Sequence, residues 1–174
     1  MNSAEMLEQL PDFFENYING TSPVWTLPRV DDLNAGAWRF RVVDAPDALV
    51  VIKILGNEAD EIRINVGLAL DLPYTYQLAE FVNMLNNKQL IFGRMFILGD
   101  VPFIGDGGHG PCAVVMQEIV FGESLSFEFP PSLNHVLNLT ARLAGQAHRF
   151  TPEILERFGG RAFQDDDDGV MLIF

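Results

Sequence analysis

The chain has 174 residues, of which 48% are hydrophobic, and a formal net charge of −13. This composition is typical of one globular domain that buries a sizeable core, and it excludes an intrinsically disordered chain. A negative field of this size repels phosphate backbones, and the sequence shows no concentrated basic patch. Nucleic acid is therefore not expected as a partner.

Export and membrane insertion are not expected either. Glu5, Glu8 and Asp12 stand where a signal peptide would be basic, and no run approaches the ~18 apolar residues of a membrane span. The single Cys112 cannot form an internal disulfide, which fits a reducing compartment. The prediction is a cytoplasmic protein without a membrane partner.

The first predicted element is a helix. Apolar residues between Met6 and Ile18 follow a helical stripe, and Ser3 is a candidate N-cap. Pro11 interrupts the stripe, so the helix either begins near Pro11 or is kinked there. Residues 25–30 form a weak strand candidate because they contain a proline.

Three stronger strands follow, at residues 37–43, 49–55 and 62–70, with turn-forming residues between them. In the first of these strands Arg39 and Arg41 alternate with apolar residues. This alternation predicts a strand with one face in water. Sequential hairpins of this kind predict an antiparallel sheet.

The next elements are a helix over residues 75–87 and two strands, 90–98 and 112–121, which form a hairpin across a loop rich in glycine and proline. Thr75 is the expected N-cap of the helix. Four residues share the i, i+3, i+4, i+7 spacing of one apolar helix face: Leu78, Phe81, Val82 and Leu85.

A long helix is predicted from Pro130 to about Phe150, and a separate short helix over residues 151–158 that ends at Gly159 and Gly160. Seven positions of the long helix are expected to face inward: Leu133, Val136, Leu137, Thr140, Leu143, Ala144 and Ala147.

Together these elements predict an α+β fold. We expect an antiparallel sheet of about five or six strands with helices packed on one face, in the order α-βββ-α-ββ-α, with a possible extra N-terminal strand. Residues 1–160 form the single expected domain, and residues 161–174 an acidic linker and an apolar C-terminal tail. We expect the tail to dock, either as an edge strand or in an apolar groove, because exposure would favour aggregation.

Two sequence motifs resemble known ligand-binding motifs, but each lacks a feature that such a site needs. Residues 105–110 spell G-x-G-x-x-G, yet a proline and a strand follow where a dinucleotide site needs a helix, so a hairpin loop is favoured. Residues 165–169 resemble a calcium loop, but Gln164 would occupy the first ligand position and the closing glutamate is missing. A solvated acidic tail is the preferred interpretation.

The remaining candidates for chemistry are weak. His135 and His148 are thirteen residues apart and point to different sides of one helix, so they do not predict a metal site. Residues 122–126 lack the final glycine of a G-x-S-x-G elbow. Cys112 is interpreted as a small core residue rather than a nucleophile. The sequence thus assigns no catalytic, cofactor-binding or metal-binding residue.

Residues 70–73 (Leu-Asp-Leu-Pro), 81–86 (Phe-Val-Asn-Met-Leu-Asn) and 92–94 (Phe-Gly-Arg) occur in an order that resembles the YbjN family, whose members share a fold with type III secretion chaperones. The resemblance covers residues 62–150. It implies helices packed on one side of an antiparallel sheet, frequent homodimers and, by analogy with the secretion chaperones, binding of an extended peptide on apolar surface. YbjN proteins are described as sensory transduction regulators without a defined reaction.

The favoured function is a non-enzymatic, chaperone-like or regulatory protein that forms a homodimer and binds an unidentified protein or peptide client on apolar surface. One alternative is a small-ligand-binding protein or enzyme with an aromatic-lined cleft. Another is a purely structural dimerisation or interaction module. The candidate interaction surface consists of Phe13, Phe14, Tyr17, Val170, Met171, Leu172, Ile173 and Phe174.

Overall fold

The computed structural model describes residues 24–26, 37–42, 45–55, 61–99, 111–121, 133–167 and 169–170. The expected N-terminal helix and the loop at residues 105–110 lie outside this part of the chain. Within it, no helix combines the length and apolarity that a membrane crossing needs.

The described residues form an α+β fold, as predicted. All five strand pairings are antiparallel, and the six strands lie in the order β1-β2-β3-β4-β6-β5. The short β1 pairs with β2 and supplies the extra N-terminal strand. The elements are β1 (Val24–Thr26), β2 (Ala37–Val42), β3 (Ala45–Leu55), β4 (Glu61–Leu72), α1 (Tyr76–Lys88), β5 (Arg94–Leu98), β6 (Cys112–Phe121) and α2 (Leu133–Phe158).

Helix α1 has the predicted cap and the predicted buried face. The Thr75 hydroxyl accepts a hydrogen bond from the backbone N–H of Leu78 at 3.1 Å, which satisfies one of the donors left open in the first turn. The four residues expected on the apolar face are all buried.

The prediction of two helices after residue 130 is wrong, because α2 continues without a break to Phe158 and contains Pro152. Proline removes one helical hydrogen bond, so packing must compensate for it. Phe150 and Ile154 lie four residues apart and are both buried. Between them, the Thr151 hydroxyl donates to the carbonyl of Leu68 on β4 at 3.3 Å. These contacts hold both sides of the proline to the sheet.

Strand β5 begins at Arg94, four residues later than predicted, because residues 91–93 form a turn that is tied to α2. The Gln146 amide accepts from the N–H of Ile91 at 3.1 Å and donates to the carbonyl of Phe92 at 2.9 Å. Gly93 has φ +67°, in the left-handed region, where glycine carries no steric cost.

One face of the sheet forms the main core with the two helices. The ring of Phe81 on α1 packs against the ring of Phe158 on α2, with 5.5 Å between the ring centroids, so the two helices contact each other there. This helix-covered face includes the strand residues Val50, Ile52, Ile62, Ile64, Val66, Leu68, Met95, Val114 and Met116, and the helix residues Leu78, Phe81, Val82, Leu85, Val136, Leu143, Ala144, Ala147, Phe150 and Ile154.

The inward positions predicted for α2 are confirmed where the structure describes them. Val136, Thr140, Leu143, Ala144 and Ala147 are all fully buried. The side chains of the other two predicted positions, Leu133 and Leu137, lie outside the described residues.

Candidate peptide-binding face of the sheet

The second face of the sheet, opposite α1 and α2, is also covered, but by a segment without a regular helix or strand of its own. Residues 161–167 and 169–170, called residues 161–170 below for the described part of this segment, return across this face after α2 ends. The reversal uses Gly159 and Gly160, both with φ near +80°. A Cβ on Gly160 would lie 2.4 Å from the carbonyl oxygen of Leu70, so only glycine permits the close approach at that position.

The segment first pairs with β4 through its backbone. Leu70 and Arg161 form an antiparallel bridge in which each N–H donates to the other residue's carbonyl, at 2.8 and 2.9 Å. This exchange of two hydrogen bonds sets the register of the segment on the sheet.

Two residues later, the ring of Phe163 lies directly on the backbone of Gly67 in β4. A Cβ built on Gly67 would be 2.5 Å from Cγ of that ring, closer than atoms can approach. Phe163 is only 1% exposed. A glycine inside a strand commonly marks a close approach of this kind.

Phe163 and Val170 both enter an apolar trough on the second face. Val170, a residue of the predicted interaction surface, is 5% exposed here. The other predicted surface residues, Phe13, Phe14, Tyr17 and residues 171–174, lie outside the described part of the chain. The trough is formed by Leu49, Val51, Leu70, Ala113 and Val115, with Leu98 at its margin.

Between these apolar anchors, two arginines of β2 hold the acidic part of the segment. Arg41 donates from Nε to Asp165 Oδ1 at 2.8 Å and from Nη2 to the carbonyl of Phe163 at 2.9 Å. Its third contact, from Nη1, is with the carbonyl of Pro46 at 2.7 Å. Arg39 donates from Nη1 to the carbonyl of Asp165 at 2.7 Å.

The prediction that Arg39 and Arg41 face water is therefore corrected. The alternation correctly placed them on the face away from the helices, but that face is covered by residues 161–170. The Arg41 side chain is 16% exposed, whereas that of Asp165 is 43% exposed. Partial burial of the guanidinium strengthens its charged hydrogen bonds relative to a fully exposed pair.

A second ion-pair group links two ends of the segment to each other and joins the segment to β4. Arg161 donates to both carboxylate oxygens of Asp167, at 2.6 and 3.0 Å, and to Asp71 at 2.6 Å. Asp167 also accepts from the N–H of Gln164 at 2.7 Å. The hydrogen bond from Arg161 lowers the pKa of the Asp167 carboxyl, and the two carboxylates raise the pKa of Arg161. We call Arg161, Asp167 and Asp71 the clasp.

The acidic run thus differs from the solvated tail that was expected. Asp165 and Asp167 bind arginines instead of converging on a shared cation, whereas Asp166 between them is exposed. In the described part of the chain, no group of three or more histidine, cysteine or acidic residues is arranged to hold a metal ion.

Beyond the docked segment, the second face carries polar and basic residues beside the exposed ring of Phe96. The Gln117 amide on β6 donates to Asn65 Oδ1 on β4 at 2.9 Å, and both residues are buried. Lys53 and Arg63 lie opposite each other in the register of β3 and β4. Burial lowers the pKa of Lys53, and the charge of Arg63 lowers it further. By strand alternation, five basic residues of this acidic chain share the face: Arg39, Arg41, Lys53, Arg63 and Arg94.

A separate groove lies on the helix side, between α1 and the end of α2. The guanidinium of Arg157 sits 4.7 Å above the centre of the Phe81 ring and pairs with Glu153 at 2.6 Å. The groove is open and about 520 Å³ in volume, within the usual range of small-ligand pockets. It is lined by Gln77, Glu80, Phe81, Met84, Arg157 and Phe158.

The weak candidates for chemistry are not brought together. Cys112 is fully buried at the start of β6, and burial raises the pKa of its thiol, which disfavours the nucleophilic thiolate. On α2, His148 lies 3.3 Å from Asp47, while His135 is exposed. Residues 105–110 and 122–126 lie outside the described residues.

Sequence reasoning missed Arg39, Arg41, Gly67 and Phe163 as candidate site residues. Signals existed for three of them: the Arg-x-Arg alternation in β2 for Arg39 and Arg41, and a lone glycine within the apolar β4 for Gly67. Neither signal shows which distant segment will cover them.

Comparison of the chain with protein-family models, with curated proteins and with solved structures found no match in any of the three. The functional conclusion therefore depends on the geometry of the second face.

Proposed function

We propose that this chain is a non-enzymatic, chaperone-like or regulatory protein that binds peptide or protein segments on the second face of its sheet. The observation that carries the proposal is the docking of residues 161–170. The face holds this segment by a backbone bridge at Leu70, by an apolar trough and by Arg39 and Arg41. Backbone hydrogen bonds combined with side-chain pockets are the usual means by which a sheet recognises a peptide.

The segment packs in a different apolar cluster from that of the main core. Phe163 and Val170 belong to the smaller apolar cluster on the second face, whereas α1 and α2 pack on the opposite face. Detachment of residues 161–170 would expose the trough without opening the helix-covered face. A surface of this kind could then accept a segment from another protein.

The proposal also includes a homodimer and a cytoplasmic location, which other observations support. The resemblance to the YbjN family supports a homodimer, and sedimentation at micromolar concentration would test it. Exposed Tyr74, Tyr76, Ile91 and Phe96 offer apolar surface for such contacts. The single thiol of Cys112 supports a cytoplasmic location.

Selection of binders from a displayed peptide library tests the proposed function. The target is the full chain with Phe163→Ala, which weakens the docked segment, and counter-selection uses the same chain with Arg41→Gln added. Peptides should be enriched on the first protein and lost on the second. Equal recovery from both proteins, each shown to be folded, would contradict binding at the second face.

The groove between the helices favours a second candidate, a small-ligand-binding protein or enzyme. Glu80 and Arg157 are polar groups beside the aromatic rings of Phe81 and Phe158, an arrangement that suits a small polar aromatic ligand. Ligand-induced shifts in an NMR screen would lie on α1 and the end of α2 for this function. They would lie on β2, β4 and β6 for the favoured one.

A further inference from the structure

We infer that the second face selects partner segments in which an aromatic residue is followed two positions later by aspartate, with an apolar residue further on. This inference rests on the proposed function and specifies its partner, an acidic peptide segment of another protein. The pattern is that of Phe163, Asp165 and Val170, three of the residues by which the chain's own segment is held.

The aromatic position is defined by Gly67. Because Gly67 has no side chain, the Phe163 ring lies against the strand backbone, with three ring carbons at 2.5, 2.6 and 2.7 Å from the place a Cβ would occupy. A flat aromatic ring fills this space. Leu49 and Val115 flank Gly67 on the neighbouring strands and complete an apolar site.

The acidic position and its spacing are defined by Arg41. The guanidinium of Arg41 binds both the carbonyl of Phe163 and the carboxylate of Asp165. These two contacts set the spacing between the aromatic residue and the aspartate. Its contact with Pro46 fixes the guanidinium from the other side. The planar fork of arginine suits such a double contact, which lysine cannot reproduce.

Charge favours the same class of partner. By strand alternation the second face carries five basic residues and one acidic residue, Glu61, while the chain as a whole has a net charge of −13. A locally basic surface on an acidic protein attracts acidic segments to this face and repels them elsewhere.

The clasp provides a way to loosen the chain's own segment without altering the face. Asp167 contacts Arg161 and the N–H of Gln164, both within the segment. Asp167→Asn therefore weakens the clasp while leaving Arg39, Arg41 and Gly67 unchanged. Asp166→Asn is the matched control, because it makes the same change of charge at an exposed neighbour.

The test is a fluorescence-anisotropy titration of the full chain carrying Asp167→Asn. The probe is a labelled peptide with the sequence of residues 161–170. We expect this peptide to bind more tightly to the Asp167→Asn protein than to the Asp166→Asn protein. Peptide versions with Phe163→Ala or Asp165→Asn should bind at least ~10-fold more weakly, the loss expected for one anchor or one charged hydrogen bond. A peptide with Asp166→Asn should bind like the parent.

The outcomes separate this inference from the proposed function. If the parent peptide binds and the Asp165→Asn and Asp166→Asn versions bind equally well, the aspartate rule is wrong, although peptide binding stands. If no peptide binds, the titration is repeated on the full chain with Phe163→Ala, which removes the main anchor of the docked segment. Failure there too, with the protein folded by circular dichroism, overturns both the inference and the proposed function.

Discussion

The two faces of the sheet are buried by different means. On the helix-covered face, α1 and α2 are long amphipathic elements whose apolar residues interlock with five strands. On the second face, residues 161–170 contribute two apolar side chains, one backbone bridge and a set of arginine–aspartate pairs. We therefore expect the helix-covered face to be the more stable of the two.

The physical reason is the balance between buried area and chain entropy. Hydrophobic stabilisation grows with the apolar area removed from water, at roughly 25 cal/mol per Å². Ordering each residue costs about 1 to 2 kcal/mol of backbone entropy. Two apolar anchors contribute about 1.5 to 3 kcal/mol each, which does not by itself offset the ordering of ten residues, so the segment also depends on its backbone bridge and its arginine–aspartate pairs. The second face should therefore open first.

The largest expected effect is on the helix-covered face. Phe81→Ala should reduce the free energy of unfolding by about 3 kcal/mol, because it removes a buried ring and leaves a cavity between the helices. Urea unfolding would measure the loss. Tyr76→Ala is the matched control on the same helix, since Tyr76 is 72% exposed. An equal loss of unfolding free energy in both variants would show that Phe81 is not part of the main core.

On the second face, Phe163→Ala should cost less, about 2 kcal/mol or below, although its ring is more completely buried than that of Phe81. The cost is limited because the segment can detach while the rest of the fold stays intact. Urea unfolding of this variant and of Phe81→Ala should be compared under one set of conditions. A loss as great as that of Phe81→Ala would make residues 161–170 an integral part of the main core.

Gly67→Ala tests the fit between the two partners of the aromatic contact. The added methyl group would overlap the Phe163 ring, so we expect a loss of about 1 to 2 kcal/mol from overpacking. In a chain that already carries Phe163→Ala, the same substitution should cost little, because the ring is gone. Additive losses in this double-mutant cycle would show that the cost of Gly67→Ala does not come from overlap with the Phe163 ring.

The smallest expected effect is a pH dependence of the clasp. Because the folded-state pKa of Asp167 is lowered, its stabilising contribution is complete above the ordinary aspartate pKa of about 4 and is lost as pH falls below that value. The difference in unfolding free energy between the parent chain and Asp167→Asn should therefore shrink from about pH 6 to about pH 3. A difference that is constant across this range would mean that the Asp167 charge does not contribute.

Much of the fold follows from local patterns, and the second face does not. The stripe of Leu78, Phe81, Val82 and Leu85 predicts a helix because its period is set by neighbouring residues alone. Arg39 and Arg41 were interpreted as solvent-facing because alternation shows which face a residue is on but not what covers it. The partner of Arg41 is Asp165, far along the chain, and no local period connects the two.

The length of α2 was missed for a related reason. Pro152 predicts a helix boundary when only local propensity is considered. Packing against the sheet overrides that preference, because Phe150 and Ile154 are both buried and the Thr151 hydroxyl donates to the carbonyl of Leu68. Tertiary packing, which the local sequence does not display, decides the outcome.

Native-state hydrogen exchange tests the central claim most directly. The amide of Arg161, bonded to Leu70, reports the docking of the segment, and the amides of β4 and β6 in the sheet interior report global unfolding. We predict that the Arg161 amide exchanges through a partial opening whose free energy is at least about 1 kcal/mol below the global value and falls less steeply with urea concentration than the global value does. Exchange of Arg161 only through global unfolding, with the same free energy as the β4 amides, would contradict the account.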